Sequence, residues 1–160
     1  DLVFPTFLFV VGNAMSFALK KMQDMRPGEF YKKVFTRTAL IFAIGWLLNA
    51  FPFFEPNEGG QLAFIDLTEV RLLGVLQRIA LSYLGAALLL YWGGIRLGWI
   101  FSIASLLLYW PILYYFGTPP DPYSLQGNVA LHLDLAVIGE KRMYSGEGIP
   151  FDPEGILSTA

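Results

Sequence analysis

The chain alternates between long apolar runs and short polar connections. Four runs stand out: Leu2–Leu19, Val34–Phe54, Leu72–Trp92 and Leu97–Phe116. Each approaches the roughly 20 residues that cross about 30 Å of hydrocarbon at a rise of about 1.5 Å per residue. Backbone amides in lipid must be satisfied within their own segment, so runs of this length predict helices rather than barrel strands. The predicted fold class is all-α: a multispan transmembrane helix bundle with four spans. Aromatic residues gather toward the run ends, as an interfacial belt would. They include Trp46, Phe51, Phe53 and Phe54, then Tyr91 and Trp92, then Trp99, Tyr109, Trp110, Tyr114 and Tyr115.

Beyond Phe116 the pattern weakens. Thr118–Pro122 is a turn-rich exit from the fourth run. Residues Val129–Val137 alternate well enough for a strand, while Leu125, Val129, Leu133 and Val137 fit a short helix lying at the interface, which is the preferred reading. Residues 1–160 read as a single membrane domain ending in the tail 117–160, without internal repeats.

Composition supports this class. Hydrophobic residues make up 55% and charged residues 15%, where a soluble domain carries about 25% charged. Mean hydropathy is +0.52. The net charge of −2 says less than where the charges fall. Lys20, Lys21, Arg26, Lys32 and Lys33 follow the first run and Arg96 lies in the third connection. Glu55, Glu58, Asp66 and Glu69 occupy the second connection, with Arg71 at its far end. The positive-inside rule then makes the first and third connections cytoplasmic. Asp1, the acidic connection and the tail from Gly117 onward fall together on the extracytoplasmic side, where chemistry is expected. The absence of cysteine excludes disulfides and thiolate metal sites. No signal peptide is visible at Asp1, which follows neither a Met nor a basic segment, and Ala160 falls shortly after a new helix begins. Both ends read as truncations of a longer protein.

Polar residues inside apolar runs are the candidates for chemistry. Arg71, Gly74, Arg78 and Ser82 follow helical spacing and are predicted to share one face, with Arg78 about 10 Å along the axis from Arg71. A guanidinium in lipid must face a partner or water, so this face is predicted to line the bundle interior. Two readings stand: an anion cradle for phosphate or carboxylate, with Gly74 leaving room for a ligand, and a structural ion pair with another span. In the first run, Gly12 and Ser16 form a small-xxx-small pair that suggests close helix packing, and Asn13 bonds either another helix or a ligand. Pro5 lies near the start of that helix and needs no further role. Asp1 is read either as an N-cap or as a carboxylate that orients a catalytic histidine.

Asp152 and Pro153 open a helix by local chemistry, with an acid in the first turn. That leaves Glu154–Gly155 unexplained, since glycine is a poor helix former; glycine there admits a substrate or another backbone. His132, the only histidine, lacks metal-ligand spacing and is read as a surface residue, so no metal is expected. Lys141 and Arg142 read as solvated. Phosphate loops, dinucleotide fingerprints, nucleophile elbows and nucleic-acid patches are not evident.

Three stretches taken in order resemble the heparan-α-glucosaminide N-acetyltransferase family of polytopic membrane proteins. They are Asp1-Leu-Val-Phe-Pro-Thr-Phe-Leu-Phe-Val-Val-Gly12, Arg71-Leu-Leu-Gly-Val-Leu-Gln-Arg-Ile79 and Asp152-Pro-Glu-Gly-Ile-Leu-Ser-Thr159, with Leu135-Ala-Val-Ile-Gly139 and Tyr144 preceding the last. The likeness extends from end to end, departing at Leu72–Leu73, where an Ile-Pro or similar pair is common. It implies acetyl transfer from acetyl-CoA to the amino group of a terminal glucosamine. It also implies a catalytic histidine upstream of Asp1, so the fragment alone is expected to be inactive. Under this reading Asp1 and Glu154 serve catalysis, Arg71, Gly74, Gln77 and Arg78 hold acetyl-CoA, and Asn13 and Asp152 contact the sugar. The partners are then a glycan acceptor and the bilayer, with a homo-oligomer left open. A sugar or organic-anion permease is the alternative, since charges lining a bundle suit transport equally; a non-catalytic membrane scaffold is the third reading.

Overall fold

The structure, a computed structural model, describes residues 2–56, 61–65, 70–139, 142–143 and 155–159. The first two apolar runs become α1 (Val3–Gln23) and α2 (Pro27–Asn49). Both helices extend into the basic connection, so only Asp24, Met25 and Arg26 separate them. Lys and Gln are good helix formers, and the backbone continues to bond internally after the apolar run ends. Pro27 begins α2, where a missing N–H is no loss. At the other end the second run was predicted to reach Phe54. The helix stops at Asn49 instead, ahead of Pro52, which can neither donate to a helical carbonyl nor fit beside one. The chain then forms an antiparallel hairpin, β1 (Phe54–Pro56) against β2 (Leu62–Phe64). Phe54 faces Phe64 across it, ring centroids 5.7 Å apart and edge-on. Glu58, Asp66 and Glu69 of this acidic connection lie outside the described residues.

The third and fourth runs belong to one helix, α3 (Val75–Phe116), 42 residues long and interrupted at Gly94, where φ is 60° and ψ −166°. Straight, it would separate its ends by about 60 Å. Both ends instead meet the same short helix, α4 (Val129–Val137). Leu73, just before α3, and Leu81 within it pack with Leu131, while the Thr118 hydroxyl lies 3.0 Å from His132 Nε2. The chain must therefore reverse at Gly94. A Cβ on Gly98 would sit 3.4 Å from Leu90 Cδ2, a contact that no continuous helix closes across two turns. The limbs 75–93 and 95–116 thus correspond to the third and fourth runs, the former starting at Val75 rather than Leu72.

Met15 and Met22 of α1, Phe30 and Val34 of α2 and Ala87 of α3 form the main buried cluster. Phe30 is fully buried and stacks on Tyr91 with centroids 3.8 Å apart. At the same end Gln23 Nε2 donates to the Leu90 carbonyl (3.4 Å), Tyr91 Oη to the Met25 carbonyl (3.3 Å), and Trp92 Nε1 to Tyr31 Oη (3.1 Å). The α1–α2 turn and the Gly94 reversal therefore share one end of the bundle. The opposite end holds the C-terminus of α2, residues 71–74 and α4. Among the described residues one helix, Val75–Phe116, is long and apolar enough to cross a membrane; the shorter apolar segment of α1 is Pro5–Ala18.

The helix preferred over a strand at Val129–Val137 is α4, capped by Asn128, whose Oδ1 accepts from the Ala130 N–H at 2.8 Å. Its residues divide between a buried and an exposed face. Ala130, Leu131 and Asp134 are buried, with Ile138 just beyond, while Leu133 and Val137 are exposed. Helical position relative to α3, rather than hydrophobicity alone, decides which residues face inward. A last helix, α5 (Ile156–Thr159), packs beside α4.

Candidate functional site

The segments singled out in the sequence converge at one end of the bundle. Residues 70–74 lead into α3 outside any helix or strand, and Gly74, the N-cap, is extended, with φ −156° and ψ −176°. Arg71 therefore lies outside the helix, and the predicted common face of Arg71, Gly74, Arg78 and Ser82 holds only for Arg78 and Ser82. Arg78 sits in the first turn of α3, near the mouth of the bundle rather than deep within it, and its N–H makes an early helical bond to the Gly74 carbonyl (2.9 Å). Both arginines are partly buried and engaged with neighbours.

The N-cap of α3, Gly74, has no side chain with which to cap it. The start of α3 carries its leading amides and the positive end of its dipole, which favour an anion. Gln77, also in the first turn, is 1% exposed, and its Nε2 has no hydrogen-bond partner among the described residues. A buried amide donor left unmatched is costly.

Two glycines make this crossing close. A Cβ on Gly45 of α2 would lie 2.8 Å from both Gln77 Oε1 and Leu76 Cβ. One on Gly74 would meet Asn49 Nδ2 and Gln77 Oε1 at 3.0 Å, so the space beside Gly74 is filled by two amides. Asn49 Nδ2 also donates to the Arg71 carbonyl at 3.2 Å, tying the end of α2 to the strand entering α3. The sequence reading passed over Asn49, yet a signal was available: an amide one helical turn after a glycine, at the end of an apolar run.

The tail closes over the same end. The Leu72 N–H donates to the Arg142 carbonyl at 3.4 Å, and Leu73, Leu131, Ile138 and Met143 form a second buried cluster. Asp134, 1% exposed, accepts the Ile156 N–H at 2.8 Å. Its carboxylate occupies the space that a side chain on Gly155 would need. The unexplained glycine thus admits Asp134, which sequence reasoning had treated only as a neighbour of His132. His132 itself is exposed beside Thr118.

Asn13 is exposed on α1, where its carbonyl accepts the Ser16 hydroxyl at 2.7 Å. Space is open around Gly12, so the close helix packing suggested for Gly12 and Ser16 is not made among the described residues. Asp1, Tyr144, Asp152 and Glu154 lie outside the described residues. Among the described residues no cluster of His, Asp or Glu is suited to a metal.

The family model described as "Heparan-alpha-glucosaminide N-acetyltransferase, catalytic" matches residues 1–125. No curated protein matches the chain.

Proposed function

Since the chain belongs to the heparan-α-glucosaminide N-acetyltransferase catalytic family, and so to membrane acetyltransferases in general, we propose that it transfers the acetyl group of acetyl-CoA to the amine of a glucosamine-like sugar. The family match carries this reading. The uncapped start of α3, with Arg71, Arg78 and the unmatched Gln77 amide, supports it chemically. In the transfer, the neutral amine attacks the thioester carbonyl, the C–S bond breaks, the amine loses a proton and coenzyme A leaves as the thiol. A base near the amine is essential, because an ammonium has no lone pair for attack.

In this proposal Arg71 and Arg78 bind phosphate oxygens of acetyl-CoA, while Gln77 donates to a carbonyl or phosphate oxygen. Gly74 lets Asn49 and Gln77 approach the same point. Asp1 and Glu154 act at the acceptor amine, orienting or receiving its proton, and Asn13 and Asp152 hold sugar hydroxyls. The α1 and α2 helices and the two limbs of α3 are the four membrane crossings. Asp1 and the tail 117–160 are extracytoplasmic and residues 20–33 cytoplasmic.

Arg78→Ala in the intact protein is expected to lower transfer of labelled acetyl from acetyl-CoA to glucosamine about a hundredfold. Expression and thermal melting should remain near wild type, because Arg78 sits at the mouth of the bundle. A wild-type rate would remove Arg78 from the donor site. Intact protein that acetylates no amino sugar would remove the whole reading.

A further inference from the structure

One face of α2 is exposed along the whole helix and changes character once. Glu29, Lys33, Arg37, Leu40, Ile44 and Leu47 recur on it at helical spacing, and all six are exposed. The neighbouring face, about 110° round the helix, with Phe30, Val34, Thr38 and Gly45, is buried. Toward the start of the helix Lys32, Lys33, Thr36 and Arg37, with Glu29 at the outer end, line an open groove of about 410 Å³.

The depth of Arg37 is what requires explanation. Phe30 stacks on Tyr91 and Gly45 abuts Gln77, so α2 and the limb 75–93 run antiparallel. Interpolating between those contacts sets Arg37 level with Leu84 and Gly85, about midway along that limb. A guanidinium exposed at such a level is tolerated only beside an anion or water. Immediately beyond it the same face becomes apolar, with Leu40 58%, Ile44 53% and Leu47 48% exposed.

We propose that this face binds an acidic phospholipid, its phosphate against Lys33 and Arg37 and one acyl chain along Leu40, Ile44 and Leu47. The stretch from Lys33 to Leu47 is about 21 Å long, which matches a glycerol phosphate with most of an acyl chain. Because nothing separates the cationic part from the apolar stripe, the ligand that satisfies both is an amphiphile. Glu29 at the outer end disfavours a highly charged polyphosphate and suits a phosphodiester of single charge. This site lies on the exposed face of α2, apart from the residues assigned to acetyl transfer; it rests on the proposed membrane crossing of α2 and not on the acetyl-transfer chemistry.

The test is native mass spectrometry of the intact protein in mild detergent, titrated with phosphatidylglycerol or phosphatidylcholine of equal chain length. Phosphatidylglycerol is expected to be retained about tenfold more strongly, with the preference falling as salt rises. Lys33→Gln with Arg37→Gln should abolish the preference, whereas Lys33→Arg with Arg37→Lys should keep it. Equal retention of the two lipids by wild type would overturn the proposal, as would an undiminished preference in the Gln variant. Displacement of the lipid by inorganic phosphate or a soluble nucleoside diphosphate would also overturn it, by assigning the groove to a soluble anion. Should the Gln variant fail to fold, the wild-type lipid comparison and its salt dependence decide the matter.

Discussion

At the residue scale, the end of the bundle that carries the motifs is organised by what small residues allow larger polar ones to do. Gly45 lets Gln77 lie flat between α2 and α3, and Gly155 lets Asp134 reach the first amide of α5. Gly45→Ala must push against Leu76 Cβ, which cannot swing away, as well as against the Gln77 amide. Overpacking of this kind costs about 1–3 kcal/mol, so a lower melting temperature is expected for the variant. Adding Gln77→Ala should recover part of the loss, because it removes one of the two obstructions. A Gly45→Ala protein that melts like wild type would mean that the helices do not approach there. The arginines stood out in the sequence because charge is rare in apolar runs, whereas Gln77 came only with the motif that carries the family resemblance. Asn49 and Asp134 were not singled out, since their roles depend on backbone groups of Arg71 and Ile156, distant in sequence.

Helix-forming segments were legible at the scale of elements, and their ends were less so. The four apolar runs reappear as α1, α2 and the two limbs of α3, because periodic and continuous apolar character is a local property. Their boundaries moved where local backbone chemistry overrode hydropathy: outward through the lysines of the first connection, inward at Pro52 and Gly74. The buried face of α4 is set by the start of α3, more than fifty residues away, so no local pattern reports it. Gly94 is the element-scale counterpart of Gly45, required for its backbone rather than its size. Its φ of 60° and ψ of −166° fall in a region open essentially to glycine alone. Gly94→Ala is therefore expected to destabilise by roughly 1–3 kcal/mol, read as a shift in thermal melting. Gly85→Ala is the control: it lies in the same helix, no atom lies within 4 Å of its Cβ position, and little change is expected there. Equal behaviour of the two variants would contradict a reversal at Gly94.

Across the whole molecule, the bundle has one end rich in Lys and Arg and another rich in motif residues. The chain contains no cysteine, so single introduced thiols report sidedness without a background. Lys21→Cys and Arg96→Cys are expected to react with a membrane-impermeant maleimide from the same side. Ser124→Cys, in the segment where Tyr123 stacks on Trp110 with centroids 6.4 Å apart, is expected to react from the other. Labelling of Arg96→Cys and Ser124→Cys from one side would break the proposed four-crossing arrangement.

The reversal at Gly94 also bears on how the second half of the chain finds its orientation. Between Arg78 and Asp121 the sequence has one ionisable charge, Arg96, just past the bend. A single cation gives the insertion machinery a weak instruction. The bend is held instead by Gln23 and Tyr91 to the turn that follows α1, a neighbourhood dense in lysine. In the proposed four-crossing arrangement the later hairpin takes its direction from the earlier one, and neutralising lysines in the first connection is expected to disorient both.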